Sequence, residues 1–325
     1  MTRQQPGQHR HLVLGASGFL GSHVVRRLVE RGLPVRAMVR PTSSTRGLDD
    51  LLEGDAVELV HGDVHDADSV RAAMADVDVV HHCVVDARAW LRDPAPLHRT
   101  NVEGLRSVLE VAREHDLHRF VLTSSMGTLV GVPRGGHYLR SRTDGERLAL
   151  SYAEEHGVPV VAMCVANTYG PGDHLPTPHG GFLREVVRGR MSVHVRGAGA
   201  EVVDVRDAAE AMVLAGERGR VGARYVVAAG FWSSRDLHDL AASYAGRPPA
   251  RWGIPVPALA AAAHVATLLD RVRGREGRLT PTTVRLMHVW TPLDASTTRA
   301  ELGWAPRPVE ETVRDAVAFF SRPHR

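Results

Sequence analysis

His11-Leu12-Val13-Leu14-Gly15-Ala16-Ser17-Gly18-Phe19-Leu20-Gly21 opens with four residues of strand character, turns on glycines spaced G-x-x-G-x-x-G, and continues into a segment of helical period. Small residues at such a turn let backbone N–H groups approach a diphosphate, and the helix N-terminus adds partial positive charge. A plain glycine turn satisfies the spacing by itself. The strand before it and the amphipathic helix after it make the stretch a dinucleotide-binding loop. Gly15, Ser17, Gly18, Phe19 and Leu20 are the expected cofactor contacts.

Outward from this loop, short runs rich in Val, Leu and Ile alternate with longer helical segments as far as about residue 166. Strands are predicted at 11–14, 34–39, 56–60, 77–81, 119–123 and 160–164, and helices at about 18–31, 66–74, 101–114 and 138–156. Strands so uniformly apolar are covered on both faces, which implies an α/β fold with a doubly wound parallel (Rossmann) sheet. Beyond Tyr169-Gly170-Pro171-Gly172-Asp173 the rhythm fails, apart from one further strand at 224–228. Residues 1–169, with 201–230 returning, are assigned to the dinucleotide domain, and 170–200 with 231–325 to a smaller C-terminal substrate lobe.

At the end of the second strand, about 20 positions after the loop, an acidic residue would hold a ribose 2′-hydroxyl. Arg40 stands there instead, with Arg36 on the same strand. A guanidinium meets a 2′-phosphate bidentately, so NADP(H) is favoured over NAD(H), the plainer alternative being a solvated arginine. Asp63, in His61-Gly62-Asp63-Val64, either accepts from the adenine amino group or caps a helix.

Composition narrows the partners. Hydrophobic residues make up 43% and charged residues 24% of 325, which excludes disordered and fibrous classes. The formal charge is +3 and the arginines are scattered, so nucleic acid is not an expected partner and a small-molecule substrate is. Cys83 and Cys164 lie in apolar runs as small hydrophobes, fitting a reducing cytoplasm. The first ten residues lack a signal-peptide core and no apolar run reaches the roughly 20 residues of a membrane span. No membrane partner is expected, and 258–269 is read as a packed helix. The 19 histidines lack ligand spacing, so no metal is expected; they are read as surface and capping residues, with His81 and His82 on opposite strand faces.

Further motifs point to a known family. Val84-Val85-Asp86-Ala87-Arg88-Ala89-Trp90, Asn101-Val102-Glu103-Gly104, Thr123-Ser124-Ser125 and Leu302-Gly303-Trp304-Ala305-Pro306-Arg307-Pro308 join the glycine loop in resembling the extended short-chain dehydrogenase/reductases (the NAD-dependent epimerase/dehydratase family). Within it, the chain is most similar to dihydroflavonol reductase, 3β-hydroxysteroid dehydrogenase and hopanoid-associated sugar epimerase-like groups. The resemblance implies catalytic positions at Ser125 and Tyr138, with Arg142 replacing the lysine of Tyr-x-x-x-Lys. It further implies cofactor contacts at Val64, Cys83, Val84, Thr123, Tyr138, Arg142, Val165 and Asn167, and substrate contacts at Asp86, Ser125, Met126, Asn167 and Thr168. A homodimer through two helices of the large domain is common in this family.

The leading expectation is an NADP(H)-dependent reductase of a ketone, or dehydrogenase of a secondary alcohol, on a medium-sized apolar or cyclic molecule. A sugar epimerase or dehydratase shares every cofactor feature. A non-catalytic dinucleotide-binding protein is the third reading, motivated by Arg142 and by only thirteen positions separating Ser125 from Tyr138.

Overall fold

The computed structural model describes residues 9–129, 136–287 and 291–322. In the N-terminal half the strands are β1 (His11–Leu14), β2 (Val35–Val39), β3 (Val57–His61), β4 (Val79–His82), β5 (Arg119–Ser125) and β6 (Val160–Val165). Between them run α1 (Phe19–Glu30), α2 (Asp49–Leu52), α3 (Ala67–Met74), α4 (Ala95–His98), α5 (Leu105–Ala112) and α6 (Gly136–His156), with a π-helical turn at Arg99–Gly104 ahead of α5. The C-terminal half adds strands β7 (Asn167–Tyr169), β8 (Val193–Arg196), β9 (Gly199–Asp204), β10 (Arg224–Val227), β11 (Gly230–Ser233) and β12 (Trp252–Pro255). Its helices are α7 (Pro178–Val187), α8 (Val205–Arg218), α9 (Ser234–Tyr244), α10 (Val256–Val272), α11 (Pro281–Leu286), α12 (Ser296–Leu302) and α13 (Val309–Ser321).

Seven strands form one parallel sheet in the order β10-β6-β5-β4-β1-β2-β3. Parallel strands leave both faces to be buried, and two apolar layers do so. Val24, Val25 and Leu28 of α1 share one layer with Ala208, Met212 and Ala215 of α8, while Leu105, Val108 and Leu109 of α5 lie in the other with Ala149 and Tyr152 of α6. Chain order reverses at β1, which is flanked by β4 and β2, and a crevice beyond the strand ends opens at such a switch point.

The smaller sheets, β11-β9-β7 and β12-β8, belong to the C-terminal half. A third apolar cluster joins α7, α9 and α13 there through Leu183, Leu237 and Val313. Residues 295–304, counted above with the substrate lobe, pack on the first layer: Trp304 is buried and donates from Nε1 to the Asp207 carbonyl at 2.8 Å.

Two readings are corrected by burial. Helix α10 exists, but among its described residues only Ala263 is buried, so it is not a packed helix. Several histidines are interior: His81 and His82 do face opposite sides of β4, yet both sides are covered. His81 Nε2 lies 3.1 Å from His11 Nδ1, and His82 stacks on Phe120 at 6.1 Å between ring centres. Burial penalises the imidazolium, pulling His11 and His23 down to about 4 and His82 down to about 3.

In the unfolded chain these rings titrate near 6.5, so between pH 6.5 and 4 the unfolded state binds protons that the folded state refuses. Stability present above pH 6.5 is therefore lost on acidification, by up to about 1.4 kcal/mol per pH unit for each histidine. His82→Phe is expected to flatten that loss by about 1 kcal/mol per pH unit in urea titrations. An unchanged slope would show that His82 is protonated without penalty.

Candidate active site

The glycine turn at the end of β1 is built by close approach. Gly15 has φ 78°, and a Cβ on it would lie 3.0 Å from the Cys83 carbonyl carbon and from Val84 Cγ2. On Gly21 a Cβ would fall on the Gly15 carbonyl oxygen, while Gly18 N donates to that same oxygen at 3.0 Å. Helix α1 begins with Gly18 as N-cap, without a side-chain cap and without an acid in its first turn. Its leading N–H groups are thus left to an external anion, and the cradle fits a dinucleotide diphosphate. Ser17, Phe19 and Leu20 are half-buried around it, and Gly18 is exposed.

Arg40 follows β2 directly and is exposed. Arg36, named with it above, is buried and committed elsewhere: Nη1 donates to the carbonyls of Ala73 and Ala75 at 2.8 and 2.7 Å, and Glu58 lies 2.9 Å away. It staples β2 to the end of α3 and is no phosphate ligand. Asp63 Oδ1 accepts from His65 N at 3.0 Å, closing the turn after β3, while Asp66 caps α3. Val64 is buried beneath that turn.

Beyond β4, Cys83 donates its N–H to Leu14, and burial pushes its thiol up to about 12. Asp86 is buried and accepts from Arg88 Nε and Nη2 at 2.9 and 2.6 Å, so its carboxylate is already paired. Asn101, quoted above as part of a family motif but given no role, is a hub in the π-helical turn. Its Oδ1 accepts from Asp86 N at 2.8 Å, and Nδ2 donates to Asp86 O and Ser141 Oγ, both at 3.0 Å. Ser141 Oγ donates in turn to the Tyr138 carbonyl at 2.8 Å. The loop after β4 is thereby locked to the start of α6. Gly145 permits the contact, since a Cβ there would lie 2.5 Å from Asn101 O.

At the end of β5, Ser125 is half-buried and its Oγ accepts from Gly127 N at 3.1 Å, which leaves the hydroxyl proton to donate. Tyr138 is half-buried on the first turn of α6, and Arg142, one turn on, is buried with Nη2 donating to the Thr123 carbonyl. Burial pulls Arg142 below its ordinary value, opposed by the charges of Tyr138 and Glu146. Glu146, another turn on, is also buried. It accepts from Ser124 and Thr128 and pairs with Arg224 of β10 at 2.7 Å. A carboxylate at i, i+4 from Arg142 was the available signal for this counter-charge.

Met126 is 2% exposed and belongs to the core, so its side chain lines no open site. Val165 is buried at the end of β6; Asn167 and Thr168 are half-buried in β7. The stretch between α10 and α11 lies against the loop after β4, and α11 itself against the start of α6. Arg278 lies over the Trp90 ring at 5.0 Å, the Arg275 carbonyl accepts from Arg92 at 2.7 Å, and Thr282 reaches Gly136 before Tyr138. Among the described residues, no group of three or more His, Cys, Asp or Glu is arranged to hold a metal.

A glycine cradle at the switch of a seven-stranded parallel sheet, with Ser125 closing β5 and Tyr138 on the first turn of α6, is the arrangement of a short-chain dehydrogenase/reductase of the extended type. The chain belongs to the NAD dependent epimerase/dehydratase family, whose profile matches residues 11–228. Enzymes of this family work with a nicotinamide dinucleotide. The chain is 32% identical to sterol demethylase protein B of Methylococcus capsulatus, over 95% of this chain and 97% of that protein. It is 28% identical to a putative dihydroflavonol 4-reductase of Synechocystis, over 95% and 93% respectively. The solved structure of gox2253 superposes with a TM-score of 0.82 at 32% identity, covering 96% of this chain and 98% of that one.

Gly21→Ala is expected to abolish measurable dinucleotide binding in calorimetric titration, because the added methyl meets a backbone carbonyl that cannot move without opening the loop. Unimpaired binding would mean that the diphosphate lies elsewhere.

Proposed function

We propose that this protein is an NADP(H)-dependent oxidoreductase interconverting a ketone and a secondary alcohol on a medium-sized apolar or cyclic substrate. The observation carrying this reading is the buried Arg142 guanidinium, tied to the Thr123 carbonyl one helical turn from Tyr138. Negative charge developing on a tyrosine oxygen is stabilised by a fixed cation where water screens poorly. Arg142 keeps its own proton, so it acts as a fixed charge and not as a relay. Glu146 balances it from the next turn, and His82, held neutral by burial, adds no competing cation.

Ser125 donates its hydroxyl proton in a hydrogen bond to the substrate oxygen, and Tyr138 gives the proton to that oxygen or takes it away. The nicotinamide, when bound, supplies or accepts the hydride. Gly15, Ser17, Gly18, Phe19 and Leu20 surround the diphosphate. Arg40, exposed at the tip of β2 where an acid would repel a 2′-phosphate, holds that extra phosphate. Sterol and dihydroflavonol, in the names of two relatives, are ring-bearing molecules and fit an apolar cyclic substrate.

Following NADPH absorbance with a panel of cyclic ketones tests the reaction. Tyr138→Phe is expected to lower kcat by about 100-fold or more with cofactor affinity retained; undiminished turnover would defeat the assignment. Arg142→Lys is expected to leave turnover equal or lower, and a large gain would mark the arginine as a defect. In dinucleotide titrations Arg40→Ala is expected to weaken NADPH by about tenfold and leave NADH unchanged. Tighter binding of NADH than NADPH, indifferent to Arg40→Ala, would overturn the cofactor choice.

A further inference from the structure

We infer that α10 is a membrane-surface helix that seats the protein on an anionic lipid bilayer. Ala261, Val265, Leu268 and Val272 are spaced i, i+4, i+7 and i+11, so they form one stripe along the helix. That stripe faces outward: Val265 is 59%, Leu268 61% and Val272 81% exposed, with Leu269 beside them at 45%. Single exposed apolar residues are ordinary on a protein surface, but four large ones on two adjacent turns of one helix are a patch that calls for a partner. Trp252, 63% exposed, stands in β12 just ahead of the helix with Arg251 over its ring at 5.6 Å. Tryptophan is favoured where one side is apolar and the other wet.

Charge selects the occupant. Residues 251–285 hold six arginines against two acids, a local +4 in a chain whose total is +3. Arg271, Arg273, Arg275 and Arg278 crowd the C-terminal end of the stripe and are all exposed. Apolar side chains with arginines at their border match the acyl and headgroup layers of an anionic bilayer. A second copy meeting this face across a two-fold axis would bring the same arginines together, which disfavours self-association. At 17 residues α10 is about 25 Å long, and no helix among the described residues is long and apolar enough to cross a membrane, so the helix lies in the interfacial plane. The expectation of no membrane partner rested on the absence of a span and on α10 being packed; its exposure removes the second ground. The docking face adjoins the cleft, because the chain leaving α10 touches Trp90 and Arg92.

Sedimentation of the full chain with vesicles of phosphatidylcholine, alone or mixed with phosphatidylglycerol, tests the inference without reference to the reaction. Binding to the mixed vesicles is expected, weakened when salt is raised from about 0.01 to about 1 M as the Debye length shrinks from roughly 30 to 3 Å. The double variant Val265→Ser with Leu268→Ser is expected to lower the partition constant about tenfold, with circular dichroism and dinucleotide affinity unchanged. Arg271→Gln with Arg273→Gln is expected to erase the preference for phosphatidylglycerol, and serves if the serine pair does not fold. Failure of the parent protein to sediment with either vesicle overturns the inference, as does equal binding by both variants. So does light scattering that finds a dimer which the serine pair dissociates.

Discussion

Helix α1 can lie against the end of β1 only because neither Gly15 nor Gly21 carries a side chain, and much of the molecule is registered from that contact. With the helix start fixed there, His23, Arg27 and Arg31 follow at four-residue steps along one face. His23 Nε2 lies 2.9 Å from the Pro171 carbonyl, so the helix presenting the anion site also holds the turn that leads into the C-terminal half. Arg27 and Arg31 both pair with Glu210, tying α1 to α8. One steric constraint thus sets the cofactor cradle and the docking of two layers together.

The opposite wall of the cleft is organised by buried polarity. Asn101 spends its side-chain amide on the loop after β4 and on Ser141, so hydrogen bonds position the backbone at Tyr138 in addition to the packing of buried Leu139. The π-helical turn gives Asn101 its inward aim, and Gly145 lets α6 come close enough to meet it. Glu146 and Arg224 bring one carboxylate and one guanidinium to the floor of the same helix. Unpaired, the buried Glu146 carboxylate would be costly there; paired with the exposed Arg224, it joins α6 to β10 at the sheet edge.

The strands and helices of the sheet were legible because they are local and periodic: five-residue apolar runs and three- to four-residue helical repeats survive without tertiary information. The glycine loop was legible for the same reason, its meaning lying in seven consecutive residues. Arg36 was not, since whether a strand arginine points at a ligand or at the end of α3 depends on where α3 stops. His82 misled, a polar strand position being read as exposed when both sheet faces are covered; Met126, named through the family resemblance as a substrate contact, has its side chain in the core. The exposure of α10 ran the other way: its composition is that of a core helix, and only the course of the chain around it decides what it faces.

Arginine in place of the family's lysine takes on a different meaning once its surroundings are known. A lysine presents a compact charge that can follow a ligand, whereas a guanidinium is a rigid fork. Here one arm of the fork is already fastened to the Thr123 carbonyl, on the strand that carries Ser125, so the cation braces α6 against β5. Fastening has a cost, visible in Arg142 Nε, which is buried without a hydrogen-bond partner, and in the downward pull of burial on the whole group. A surface arginine that had drifted into a vacated position would bear no such cost, because it would swing out to water. That Arg142 stays inside, between Tyr138 and Glu146 on successive turns of α6, is consistent with the fixed-charge role proposed for it.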